Sequence, residues 1–133
     1  MFRKQLFKQA FWTLFVLAFL EVVTSRLYLQ WSIWWVDIVL HFFGGLAVSL
    51  FALWIFSSRS DLKNWSQQKI VLIALSSAII IGIVWEFYEL YFGMTFLSDG
   101  ITYFISTSYD LIMDLVGGVL GVFYTNNLLN KYE

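Results

Sequence analysis

The chain has 133 residues, of which 60% are hydrophobic, 21% aromatic and only 13% charged. A soluble domain averages ~45–50% apolar and ~25% charged residues, so this composition excludes a disordered chain, a disulfide scaffold and an ordinary cytosolic enzyme. Cysteine is absent, which removes thiolate metal sites and a cysteine nucleophile, and a net charge of −1 without a basic patch excludes a nucleic-acid partner.

Four apolar stretches are long enough to cross a ~30 Å hydrocarbon core, which takes roughly 17–25 residues of helix. In chain order they run from about Lys8 to Leu29, Trp34 to Phe56, Lys69 to Phe92 and Ile105 to Leu129. A β-barrel would show ~10-residue segments of alternating polarity, whereas these runs are continuous and carry polar residues at three- and four-residue spacing. The expectation is an all-α, four-helix transmembrane bundle forming one domain over residues 1–133. The first span begins like a signal peptide, but Glu21 interrupts its apolar run and no small-x-small site follows, so it reads as an uncleaved anchor. The connections 30–33 and 93–104 carry no Lys or Arg. Arg3, Lys4 and Lys8 precede span one, Arg59, Lys63 and Lys69 flank the connection 57–68, and Lys131 follows span four. The positive-inside bias therefore places both termini in the cytoplasm.

Six of the nine acidic residues fall inside these spans: Glu21, Asp37, Glu86, Glu89, Asp110 and Asp114. A charged residue at a helix centre costs ~2.5–3.5 kcal/mol on insertion scales, so six of them demand compensation. At ~1.5 Å rise per residue all six lie in one slab of the extracytoplasmic half, roughly 5–14 Å below the outer helix ends. Asp37 and His41 are four apart, Glu86 and Glu89 three apart, Asp110 and Asp114 four apart, so each pair shares a helix face. Small residues continue the same stripes: Gly44, Gly45 and Ser49, then Ala78 and Gly82, then Gly117, Gly118 and Gly121. The geometry implied is a cup with a glycine floor, carboxylate walls and an outward mouth.

A bound divalent cation, or two, compensates such a slab most simply. One imidazole among many oxygens suits Mg²⁺, Mn²⁺ or Fe²⁺ better than a structural Zn²⁺ site. The candidate ligands are Asp37, His41, Glu86, Glu89, Asp110 and Asp114, with Glu86 or His41 as the general base toward a metal-bound water. Arg26 and Glu21, nearer the mouth, are the candidate substrate contacts, Arg26 for a phosphate. Against this stands a plainer reading: a lone His on an apolar stripe is more often a hydrogen-bonded core residue, and Asp37, Glu89 and Arg26 are shallow enough to snorkel. Trp31, Trp34, Trp35, Tyr88, Tyr91, Tyr103 and Tyr109 at one boundary, and Trp12, Phe56, Trp65 and Tyr124 at the other, read as interfacial belts.

At these residues a resemblance emerges. Asp37-x-x-x-His41-Phe-Phe-Gly-Gly, Trp85-Glu86-Phe-Tyr-Glu89 and Tyr109-Asp110-x-x-x-Asp114-x-x-Gly117-Gly118 resemble the YjdF-like bacterial inner-membrane proteins. VanZ-like proteins are similar more loosely, sharing Asp-x-x-x-His and a later acid followed by glycines. The likeness covers spans two to four. This chain is shorter than the YjdF-like pattern and has Tyr109-Asp110-Leu111-Ile112 where that pattern has Trp-Asp-Thr-Gln. The resemblance implies a bacterial cytoplasmic-membrane location and supports the choice of residues, but it implies no reaction.

The leading expectation is a metal-dependent membrane hydrolase or phosphoryl transferase acting on a lipid or lipid-linked substrate at the outer leaflet. A cation or proton transporter using the same carboxylates is the second reading, and an accessory subunit meeting a basic partner is the third. The expected partners are membrane lipid, a lipid-linked substrate and, in a homo-oligomer, further copies of the chain.

Overall fold

A computed structural model describes residues 1–132. Its α-helices are α1 (Phe2–Arg26), α2 (Leu29–Ser32), α3 (Trp34–Ser57), α4 (Gln67–Tyr91) and α5 (Ile101–Lys131). All but α2 are long and apolar enough to cross a membrane, and no strand occurs among the described residues. The protein is a multi-pass membrane protein of the all-α class.

The helix ends depart from the expected ones for local reasons. Helix α1 begins at Phe2 rather than near Lys8, taking Arg3, Lys4 and Lys8 into the helix. A helix keeps its own backbone bonded through the interface, and long basic side chains reach water from it. It stops at Arg26, three residues short of Leu29, and Tyr28 adopts a left-handed φ of 55°. The expected loop 30–33 contains most of the single turn α2, held by Ser32 Oγ donating to the Tyr28 carbonyl at 2.8 Å. Helix α4 starts two residues before Lys69, where the Ser66 hydroxyl caps the Lys69 amide at 3.3 Å. Helix α5 starts at Ile101, not Ile105, because Gly100 turns the chain at φ 61° and ψ −125°, a region that only glycine occupies freely.

Helix α3 is the centre of the bundle and packs most extensively on α5, then on α1 and α4; α4 also packs on α5. Helix α1 lies along α3 and makes no substantial contact with α4. The chain termini and the α3–α4 connection share one end of the bundle, where Lys63 Nζ donates to the Tyr132 carbonyl at 2.8 Å. The half nearer that end holds an apolar core around Leu6, Ala10, Leu50, Leu53, Ile70 and Leu129. Leu62 of the α3–α4 connection is also buried there, so the connection closes the end of the core. Two buried hydroxyls within the spans bond back to their own helices, Thr13 to the Gln9 carbonyl and Thr125 to the Gly121 carbonyl. The buried ionisable residues all lie in the opposite half.

Candidate metal centre

Three long helices meet closely because small residues line the crossing. A Cβ placed on Gly45 would run into the Asp114 backbone carbonyl, and one on Gly117 would strike the Phe42 carbonyl. A Cβ on Gly82 of α4 would strike the Asp114 carboxylate, and Gly121 sits against the Ser49 hydroxyl. The glycines expected as a floor therefore do more than that. Gly44, Gly45 and Gly82 surround Asp114 at its own level and admit its carboxylate between α3 and α4.

That carboxylate engages His41. The Asp114 Oδ2 to His41 Nδ1 distance is 3.1 Å, with both side chains buried. Carboxylate oxygen accepts, so Nδ1 carries the proton in the neutral ring and Nε2 is left with its lone pair free. Nε2 points away from Asp114 toward Glu86 Oε1 at 3.7 Å and Asp37 Oδ1 at 4.0 Å. Both His41 Nε2 and Glu86 Oε1 are buried without a hydrogen-bond partner. An unsatisfied buried polar atom costs ~1–3 kcal/mol, and here two face one another.

The remaining acids are arranged around this pair. His41, Glu86 and Asp110 each offer one donor atom, all within 4.8 Å of one another, and so do Asp37, His41 and Glu89. His41, Glu86, Glu89 and Asp110 are buried, Asp37 partly so. Either group could hold a metal ion through a nitrogen and two carboxylates, a donor set that suits hard or borderline cations. Two carboxylates are oriented from behind: Thr107 Oγ1 donates to Glu86 Oε2 at 2.8 Å, and Trp85 Nε1 donates to Glu89 Oε1 at 2.9 Å.

The structure thus brings Asp37, His41, Glu86, Glu89 and Asp110 to one place, with Asp114 behind the imidazole. Glu21 and Arg26 stand apart from that group. Glu21 accepts from Gln30 Nε2 at 2.9 Å and lies at the rim of a cavity between α1, α3 and α4. Arg26 is exposed in the last turn of α1 and has no ion-pair partner among the described residues. Thr107 and Gln30 were not singled out from the sequence, and Trp85 entered only as part of the Trp85-Glu86-Phe-Tyr-Glu89 motif, without a role. Trp85 precedes Glu89 by four residues and Thr107 precedes Asp110 by three, so helical spacing could have found both. Gln30 reaches Glu21 across the left-handed Tyr28, which no spacing rule anticipates.

No curated protein and no solved structure matches this chain. A family described as a predicted membrane protein family, DUF2238, matches residues 1–131. That match is compatible with the YjdF-like resemblance, while the VanZ-like one finds no support. With nearly its whole length covered, the chain belongs to the DUF2238 family of predicted membrane proteins.

Proposed function

We propose that this protein binds a divalent cation in the membrane and uses it to activate water against a lipid or lipid-linked substrate. The observation that carries the reading is the buried pair His41 Nε2 and Glu86 Oε1, unpartnered and 3.7 Å apart, with oxygens of Asp37, Glu89 and Asp110 nearby. A cation there would satisfy both atoms and offset the carboxylates, which no Lys or Arg approaches among the described residues. Because Asp114 occupies Nδ1, His41 has one nitrogen to give and cannot serve two ions at once. The two candidate groups share His41, so one ion at a time uses that nitrogen, and Asp114 would orient it as carboxylates behind metal-bound imidazoles do. Mg²⁺, Mn²⁺ or Fe²⁺ suits the oxygen-rich donors.

A cation held there would supply a Lewis acid for activating water, and carboxylates of the cluster left outside its coordination would take the proton. With His41, Glu86 and Asp110 holding the ion, Glu89 is the acid placed to do so, since Trp85 fixes one of its oxygens beside the centre. Hydrolysis or phosphoryl transfer fits a hard cation. Transport along the same carboxylates needs a polar path toward the termini. The buried hydroxyls on that side, Ser49 and Thr125, are each bonded to carbonyls of their own helices.

Isothermal titration of the purified, chelator-treated protein with Mn²⁺ tests the reading. One ion per chain is expected for the wild type and none for His41→Ala or for Glu86→Gln combined with Asp110→Asn. A folded wild-type protein that takes up no Mn²⁺, Mg²⁺ or Fe²⁺ would end it. Because protons compete for His41 and the carboxylates, the apparent affinity is expected to fall as the pH is lowered.

A further inference from the structure

Helices α1 and α4 both pack on α3 yet do not close on each other, which leaves a crevice of about 330 Å³ along the membrane-spanning face of α3. Its polarity is graded along the helices. Asp37, His41 and Glu89 line one end; Leu14, Val48 and Ala78 line the other. Asp37 to Val48 and Glu89 to Ala78 are each eleven residues apart, so the crevice runs roughly 16 Å parallel to the helices at ~1.5 Å per residue. The acidic end lies nearer the ends of the helices and the apolar end nearer the middle of the bundle. A bilayer lipid in that leaflet has the same order, head outward and chain inward. The volume is at the small end of the ~300–1,000 Å³ typical of ligand sites, which admits one chain rather than a bulky ring system.

We propose that this crevice takes a single hydrocarbon chain of a bilayer phospholipid, admitted sideways between α1 and α4, and so presents the lipid head to Asp37, His41 and Glu89. Placement of the head rests on the metal reading above, because a phosphate meets these carboxylates favourably only through a cation. Placement of the chain does not rest on it. Of the two candidate ligand groups, the one containing Asp37 and Glu89 lines the crevice, whereas Glu86 and Asp110 do not.

Photolabelling decides the matter. The protein is reconstituted in vesicles of phosphatidylethanolamine and phosphatidylglycerol containing a trace of phosphatidylglycerol with a diazirine midway along one acyl chain. After irradiation the adducts are mapped by peptide mass spectrometry. Adducts are expected at Leu17 and Val48, which are only partly exposed, as well as at the lipid-facing Ile80 and Phe87. Ala18 lines the crevice but is exposed, so Ala18→Trp should fill the space without disturbing the bundle, with Ala18→Phe as the smaller alternative. In these variants the Leu17 and Val48 adducts should be lost and the Ile80 and Phe87 adducts retained. Failure to label Leu17 and Val48 in the wild type, or labelling that persists in both folded variants, would overturn the proposal. Mn²⁺ titration of the same samples separates the two readings. Labelled protein that binds no Mn²⁺ keeps the crevice and loses the metal, whereas Mn²⁺ binding without labelling does the reverse.

Discussion

His41 links the two sides of the cluster because its ring nitrogens face different neighbours. Nδ1 is committed to Asp114 at 3.1 Å, and Nε2 is turned toward Glu86 and Asp37. Asp114 thereby acts on the centre through another residue. Asp114→Asn replaces an acceptor-only group by an amide that both donates and accepts, so the tautomer of His41 is no longer set. Mn²⁺ affinity is expected to fall by ~10–100-fold, the usual effect of losing such a partner, with helix content by circular dichroism unchanged. His41→Ala should abolish binding outright. Equal affinity in Asp114→Asn and wild type would mean that Asp114 plays no orienting part. Thr107→Val is a second check, since it frees Glu86 Oε2 without altering charge. A weaker dependence of Mn²⁺ binding on Thr107 than on Asp114 is expected, because Glu86 retains its charge while His41 loses its tautomer.

Among the helices, the α3–α5 crossing determines whether these side chains meet. Adjacent glycines of α3 differ sharply in what surrounds them. Space beside Gly44 is ordinary, with the Asp114 Oδ1 atom at 3.7 Å from an added Cβ, whereas Gly45 abuts the Asp114 backbone itself. A backbone cannot swing aside as a side chain can. Gly45→Ala is therefore expected to destabilise the protein by ~1–3 kcal/mol, as overpacking does, and to weaken Mn²⁺ binding by moving Asp114 away from His41. Gly44→Ala should leave both nearly unchanged, or raise stability slightly through the better helix propensity of alanine, about 0.5–1 kcal/mol. Thermal unfolding in detergent, with Mn²⁺ titration of each variant, compares them. Similar behaviour of the two variants would contradict the close crossing. In the sequence these glycines were visible as stripes, but their division into tolerant and intolerant positions was not. It depends on how far each helix is rotated about its axis.

For the whole bundle, the basic residues other than Arg26 gather at the end shared by the termini and the α3–α4 connection, among them Arg3, Lys4, Arg59 and Lys63. By the positive-inside bias that end is expected to be cytoplasmic, which would put the acidic centre in the outer half of the membrane. The absence of native cysteine makes the orientation simple to test. In right-side-out vesicles a membrane-impermeant maleimide is expected to label Ser98→Cys in the α4–α5 connection and to spare Ser58→Cys at the other end. The opposite pattern would turn the molecule over and move the proposed substrate to the inner leaflet.

Apolar run length and helical spacing are local properties, and from them alone the residues determined four spans, an all-α class and the shared faces of Asp37 with His41, Glu86 with Glu89, and Asp110 with Asp114. Helix ends were less legible, because Tyr28 and Gly100 redirect the backbone through dihedral angles that hydropathy does not record. The tertiary structure alone decided that Asp114 bonds His41 while Asp110 groups with His41 and Glu86, although both lie on one face of α5. Which of two acids a turn apart meets the imidazole depends on the contact of α5 with α3 and α4, where Gly45 and Gly117 let the backbones approach and Gly82 makes room for the Asp114 carboxylate. The same packing left α1 apart from α4 and so made a crevice, a gap that belongs to no single helix and cannot be read from any one of them.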